Sequence, residues 1–269
     1  MDDNRAPNDL VAALGSLPSL GLDALASAAS LQHRRDRKYI VPVSTLGGLF
    51  TDFGTDTKAL EIDKTRLFRY ESIYFDTADL QSYRDAARSR PRRRKVRTRA
   101  YVDSSACALE VKTRDRNGQT IKHRLDYPLA DRHLLNQQGR HFIAEVDPDG
   151  PQSSNLQHTL TTAYLRATLL IDAGTSRATI DVGLCCTEPE GAQVELAGHA
   201  LVETKSVSGS TTMDRLLWAN HIRPVQMSKY CVGLAALHGE LGANKWNRIL
   251  RTHFGWTPTR SLSHTRQAS

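Results

Sequence analysis

The stretch Pro91 to Tyr101, PRRRKVRTRAY, constrains this chain more than any other. As a β-strand, with side chains alternating between faces, it puts Arg93, Lys95, Arg97 and Arg99 on one side and Val96, Thr98, Ala100 and Val102 on the other. Neighbouring cations on one face repel, and those near a sheet interior are costly to desolvate. Such a face needs either water or a polyanion against it. From this stretch alone, a solvated basic edge or a nucleic-acid patch fits as well as a phosphate site.

The same division recurs along the chain. A first strand, RRDRKYIVPVS, sets Asp36, Lys38 and Ile40 against Arg37, Tyr39 and Val41, and a second, RYESIYFDTAD, is rich in aromatic and β-branched residues. The arginine stretch is the third. A fourth, Ala106 to Thr113, groups Glu110 with Lys112 opposite Cys107, Leu109 and Val111. Asn117-Gly118 is a tight-turn signal that joins it to a fifth, Thr120 to Tyr127, with Lys122 and Arg124 on one face. A sixth, Thr161 to Asp172, sets Tyr164, Arg166 and Thr168 against Leu165, Ala167, Leu169 and Ile171. The seventh, Arg177 to Leu184, groups Arg177, Thr179 and Asp181, and the eighth, Ala200 to Ser206, groups Glu203 with Lys205.

Between them, Leu46 to Asp63, LQSYRDAAR, residues 212 to 221 and residues 228 to 250 read as helical, and 129 to 160 as a short helix with a polar loop. Residues 1–33 read as a short helical segment packed on a larger domain at 34–245, and 246–269 as a polar tail. The expected fold class is α+β: eight mostly hairpin-connected strands closing an antiparallel β-barrel, covered outside by helices. The barrel is inverted. Its apolar face lies under the helices, and its lumen is lined by Lys38, Arg97, Arg99, Lys112, Lys122, Arg124, Arg166 and Arg177, with Asp36, Glu110, Asp181 and Glu203 among them. A single Glu-x-Lys pair on a strand is more often a solvated pair than a site; repetition over most strands argues for a lumen that grips phosphates and a divalent metal.

Composition agrees. The net charge of +7 asks for an anionic partner, while 29 acidic residues make the surface patterned rather than a basic tail. Four cysteines without CxxC spacing, no apolar run near the roughly 20 residues that span a bilayer, and an N-terminus without an export signal lead us to expect a cytoplasmic protein with no membrane segment. There is no GxxxxGK[ST], GxGxxG or HExxH pattern, which excludes a P-loop, a dinucleotide fold and that zinc chemistry.

DRKY at 36–39, YFDT at 74–77 read with its tyrosine, KVRTRAY at 95–101, LEVK at 109–112, IKHR at 121–124, YLRATL at 164–169, ATID at 178–181, ETK at 203–205 and SKY at 228–230 form an ordered set. Over roughly Arg34 to Leu237 this set resembles the VTC domain, the polyphosphate polymerase branch of the triphosphate tunnel metalloenzymes. The resemblance implies transfer of the γ-phosphoryl group of ATP or another nucleoside triphosphate to a growing polyphosphate chain, with Mn²⁺ or Mg²⁺ as cofactor. It implies that Arg97, Arg99 and Lys229 are catalytic, that Lys38, Lys112, Lys122, Arg124, Arg166 and Arg177 bind phosphate, and that Glu203 holds the metal. Two positions depart from the family's pattern: Asp36 stands where a Glu is usual, and Gln226 where a second lysine is expected three residues before Lys229.

The expected partners are the nucleotide, polyphosphate, and inorganic phosphate or pyrophosphate, with no nucleic acid, since the cationic faces look poor in stacking aromatics apart from Tyr164. A metal-dependent triphosphatase of the same fold and a non-catalytic polyphosphate- or RNA-binding module remain the rival readings.

Overall fold

Eight strands carry the architecture in the computed structural model, which describes residues 5–27, 35–51, 53, 56–114 and 119–258. They are β1 (Arg35–Pro42), β2 (Phe68–Thr77), β3 (Arg93–Tyr101), β4 (Ala106–Arg114), β5 (Thr120–Asp126), β6 (Leu156–Ile171), β7 (Ser176–Thr187) and β8 (His199–Ser206). Their spatial order is β1-β8-β7-β6-β2-β3-β4-β5, antiparallel throughout. The expected closed barrel is corrected to an open, curved sheet: among the described residues β1 and β5 do not pair. The free edge of β1 is instead met by the segment leading into helix α7 (Lys229–Leu237), where the Val225 amide donates to the Lys38 carbonyl at 2.7 Å. The Asn117-Gly118 turn lies outside the described residues.

Alternation places the two faces as expected over most of the sheet. The outer face of β1, β6, β7 and β8 buries Tyr39, Val41, Leu169, Ile180 and Val202 beneath helices α1 (Arg5–Gly15), α3 (Val43–Thr51) and α6 (Thr212–Ala219). That of β2 to β4 buries Ile73, Val96, Leu109 and Val111 against α5 (Gln137–Val146), whose N-terminus is capped by Asn136 accepting from the Gly139 amide at 2.9 Å. The inner face is polar in its middle.

Four boundaries differ from expectation. The helix expected over Leu46 to Asp63 is α3 alone; Lys58–Leu60 is a strand, because the 16-residue β6 outruns the 10-residue β2 and leaves ladder positions at Leu169 and Leu170 for it to fill. β6 begins at Leu156, earlier than the expected Thr161. The helix expected over 228 to 250 breaks after Leu237, resuming as α8 (Asn247–His253). The polar tail expected from 246 is packed as far as Trp256, since Trp246, Ile249, Leu250 and Trp256 join the core formed with α7.

One bulge redirects the sheet. Between the pairs Ala163↔Cys185 and Leu165↔Val182, β7 carries an extra residue, and Gly183 supplies the left-handed backbone (φ 61°) that this demands. Past it, Leu184 and Cys186 turn to the inner face, where they meet Ile40, Tyr74, Leu160 and Leu201 beneath α7.

Two buried carboxylates tie helices to this sheet. Asp76 of the YFDT motif accepts from the Ser82 and Tyr83 amides at the start of α4 (Gln81–Ala87) and from the Tyr230 hydroxyl at 2.6 Å. Asp214 of α6 accepts from Tyr39, Thr204, Arg37 and the Thr211 amide, at 2.7 to 2.9 Å. Asp214→Ala strands these donors and is expected to cost about 3–5 kcal/mol, the scale for breaking a buried ion pair, read as a lower urea midpoint at unchanged m-value. A loss below about 1 kcal/mol, within reach of an ordinary surface change, would show that the hub does not anchor α6.

Candidate functional site: a cationic concave face

The inner face is built in rows across β3, β4 and β5. Antiparallel register puts Arg97 opposite Glu110 and Glu110 opposite Arg124, so one row alternates in sign. The next row does not. Lys95 faces Lys112 and Lys112 faces Lys122, a line of three like charges that cross-strand pairing would normally select against.

Glu110 is buried and holds much of this together. Arg97 grips its Oε2 with Nε and Nη2 at 2.8 and 2.6 Å, and Lys122 approaches Oε1 at 2.5 Å. Burial pushes the carboxyl upward, yet Arg97, Arg99 and Lys122 outweigh it and keep Glu110 ionised far below the usual carboxylate range. Lys112 has the opposite fate. Repulsion from Arg97, then burial, then repulsion from Arg99 drive its ammonium well below the ordinary lysine value, against the pull of Glu110 and Glu203.

A second knot lies on β6 and β7. Arg166 forks onto Asp181 at 2.5 and 2.8 Å, and Lys229, the first residue of α7, bonds the same carboxylate. Burial opposes ionisation of Asp181, but Arg166 and Lys229 bring its pKa down to about 2. A third knot joins Lys205 to Glu203 and, at 3.3 Å, to Asp36. Glu203 is held well below the usual range by Lys38 and Lys205 despite its burial. Lys38 also donates to the Met227 carbonyl at 3.1 Å, and Lys95 to the Ser228 hydroxyl at 2.8 Å, so the turn before α7 sits on the cationic rows from both sides.

Tyrosines floor this face, which the sequence reading missed even though RYESIYF alternates them visibly. Tyr70, Tyr74, Tyr101 and Tyr164 lie under the guanidinium groups of Arg99, Arg97, Arg124 and Arg166, at 5.0 to 5.8 Å. Tyr70 also stacks on Tyr164 at 5.6 Å and Tyr74 on Tyr230 at 5.1 Å. The Tyr164 hydroxyl is buried without a partner, and although burial raises its pKa, Arg99, Arg166 and Lys229 pull it to about 8.

The structure thus brings Lys38, Arg97, Arg99, Lys112, Arg166, Lys229 and Glu203 onto one face and adds Lys95, Lys205 and Asp181 to them. Lys122 and Arg124 stand at its open edge, their side chains 41% and 45% exposed. Arg177 lies at the far end, donating to the Leu25 carbonyl of α2 (Leu22–Ser27) at 3.2 Å. Gln226 is exposed. Among the described residues no three His, Cys, Asp or Glu side chains gather as a metal cluster, and no helix is long and apolar enough to cross a membrane.

The family model of the VTC domain matches residues 33–238. The chain belongs to the VTC-domain family. Membership gives the coarse activity, phosphoryl transfer or triphosphate hydrolysis in a tunnel-type fold. No curated protein matches the sequence. Similar solved structures include a putative adenylate cyclase from Bacillus halodurans (15% identity, TM-score 0.44, 73% of this chain and 94% of that one). Another is a putative adenylyl cyclase from Hippeastrum described as having a dominant triphosphatase activity (13% identity, TM-score 0.45, 73% and 93%).

Lys112 fixes the sign of a pH effect. Its folded pKa lies below 10.5, so the empty fold is penalised at lower pH and gains stability as pH rises through that depressed value toward 10.5. A polyanion on this face reverses the cause, raising the pKa of both Lys112 and Tyr164. Binding of tripolyphosphate near pH 8, where Tyr164 titrates, is therefore expected to draw a larger proton uptake in the wild type than in Tyr164→Phe, a difference that cancels the ligand's own ionisation and is measured by calorimetry in buffers of different ionisation enthalpy. An equal proton balance in the two would contradict this electrostatic account.

Proposed function

We propose that this VTC-domain protein is a polyphosphate polymerase, transferring the γ-phosphoryl group of ATP or a related nucleoside triphosphate to the end of a polyphosphate chain. The observation that carries the reading is the like-charge row Lys95–Lys112–Lys122 beside Arg97 and Arg99, in which Lys122 is paired with Glu110 while Lys112 stands among cations. The inward cations outnumber the facing carboxylates Asp36, Glu110, Asp181 and Glu203, and so suit a chain of phosphates.

Phosphoryl transfer asks the protein for alignment and charge neutralisation more than for a covalent nucleophile. A terminal oxygen of the polyphosphate forms the new bond to the γ-phosphorus as the bond to the β–γ bridging oxygen breaks, and the nucleoside diphosphate leaves. Arg99 and Lys229 stabilise the transferring group, while Lys38, Lys112 and Arg166 hold the flanking phosphates. The N-terminus of α7 adds its partial positive charge to this cluster, since Ser228 and Lys229 face it.

The donor set fits a divalent ion held jointly with substrate. Glu203 is an ionised hard-oxygen ligand, and Mg²⁺ characteristically binds through one or two carboxylates plus substrate phosphates. Glu203 would hold Mg²⁺ or Mn²⁺ in that way, and the chemistry such an ion supplies is charge neutralisation on the donor phosphates. Nucleic acid is a poor fit, because the tyrosine faces that would stack on bases are occupied by guanidinium groups and by one another.

Incubation of the pure protein with ATP and Mn²⁺ and sizing of the products tests the assignment: long polyphosphate supports it, and free orthophosphate alone assigns the site to hydrolysis. Glu203→Gln is expected to abolish metal-dependent turnover with the fold retained; wild-type turnover would remove Glu203 from the site. Arg99→Ala is the cleaner arginine variant, since among the described residues its side chain hydrogen-bonds only Ser72, at 3.3 Å, whereas Arg97→Ala removes both direct bonds to the buried Glu110. It is expected to cost about 2–4 kcal/mol in kcat/KM, the range for a lost donor to a developing charge, and an unchanged kcat/KM would place Arg99 outside the reaction.

A further inference from the structure

The carboxylates of the concave face are not all held alike. Glu110 takes two bonds from Arg97 and the ammonium of Lys122, and Asp181 takes the fork of Arg166 and the ammonium of Lys229. A planar guanidinium is a partner of fixed geometry. Glu203 has none: among the described residues its side chain is hydrogen-bonded by Lys205 alone, two positions along the same strand. That ammonium also lies 3.3 Å from Asp36, the register partner of Lys205 on β1, so one lysine bridges two carboxylates. An ammonium on a flexible four-carbon stem is a point charge that can change partners while its strand stays in place.

The neighbouring side chain points to a ligand independently. Register across β1, β8, β7 and β6 sets Lys38, Glu203, Thr179 and Thr168 in one row, opposite in parity to the outer core residues Ala178, Ile180 and Val202. Thr179 is only 6% exposed, and its hydroxyl is buried without a hydrogen-bond partner. Such a group costs about 1–3 kcal/mol unless something bonds it. Its place directly across from Glu203 suits a polar ligand on the concave side.

A bare divalent ion has a poor approach to Glu203. It must displace Lys205, and it meets the positive charge of Lys38, Lys205 and Arg166, the cations that act on this carboxylate. A phosphate removes both obstacles, because its oxygens take the ammonium and its charge offsets the repulsion. We propose that Lys205 is a placeholder cation. It holds Glu203 and Asp36 until a phosphate oxygen draws it off, so that Mg²⁺ or Mn²⁺ is loaded together with the phosphate and not before it, and the Thr179 hydroxyl bonds that phosphate. This rests on the metal role proposed for Glu203 and adds an order of binding to it.

Mn²⁺ titration of the full chain, followed by the electron paramagnetic resonance signal of the free ion at fixed pH and ionic strength, tests the order. Lys205→Met keeps the aliphatic stem and removes the charge. It is expected to bind Mn²⁺ about tenfold or more tighter than wild type with no anion present, the scale of one charge-assisted contact that no longer competes. Sulfate, used as a phosphate mimic that chelates Mn²⁺ weakly, is expected to tighten wild-type binding severalfold and to change Lys205→Met little. Thr179→Val is expected to reduce the sulfate effect in the wild-type background without lowering Tm; an unreduced effect would overturn the placing of the phosphate at Thr179. Wild-type affinity indifferent to sulfate would overturn the placeholder whether or not Lys205→Met folds. So would equal Mn²⁺ affinity in wild type and variant, and either result leaves the polymerase reading standing. Tight Mn²⁺ binding by Lys205→Met that survives the addition of Glu203→Gln would overturn both the placeholder and the metal role of Glu203.

Discussion

Everything on the concave face depends on the pairing of buried guanidinium groups with buried carboxylates. A strand that turns Arg97 inward cannot bury it alone, because the lost hydration of one cation costs several kcal/mol even after relaxation. Glu110 on β4 and Asp181 on β7 repair that loss at the two places where the arginines are most enclosed. The remedy is deliberately incomplete in its consequences. Arg97 and Arg166 are satisfied, whereas Lys112 is left among cations with its charge disfavoured. A fully neutralised face would be more stable and would have no use for an anion; this one keeps a deficit that a bound anion would relieve, the usual trade between stability and function at a site.

The alternation of PRRRKVRTRAY and its neighbours made the sheet and most of the site legible, because in a strand with one face buried, identity at every second position follows from which side is wet. What lay beyond reach involved tertiary geometry. Nothing in DVGLCC announces that Gly183 carries a bulge, yet that bulge moves Leu184 from the outer core to the apolar patch beneath α7. Lys58–Leu60 becomes a strand only because β6 outruns β2, a length comparison that no local pattern contains. Parity sets Arg124 and Arg177 on the inward side, but it does not say how far the enclosed region extends: Arg124 stands at the open edge and Arg177 at the far end against α2.

The motif residues divide by role in a way that sequence order conceals. Within DRKY, Lys38 points to the site while Arg37 and Tyr39 point the other way, to Asp214. Within YFDT, Asp76 is a helix cap and not an acid of the site: it receives two amides of α4 and the hydroxyl of Tyr230. Tyr230 follows Lys229, which bonds Asp181. The buried carboxylate of β2 therefore helps to seat the helix that delivers a cation to β7.

One cation of this face, Lys229, comes from a helix when the others named come from strands. Strand cations are locked in place by register and cannot be withdrawn without breaking the ladder. Lys229 stands on the first turn of α7, whose seating depends on the Asp76–Tyr230 bond and on the approach of Val225 and Met227 to Lys38 at the open edge of β1. The same segment lies along the open edge of β1, and Lys95 of β3 reaches its Ser228 from the other side. The open edge of the sheet is thus useful: it lets a helix N-terminus, with both its dipole and its lysine, enter a face that a closed ladder of strands would have sealed.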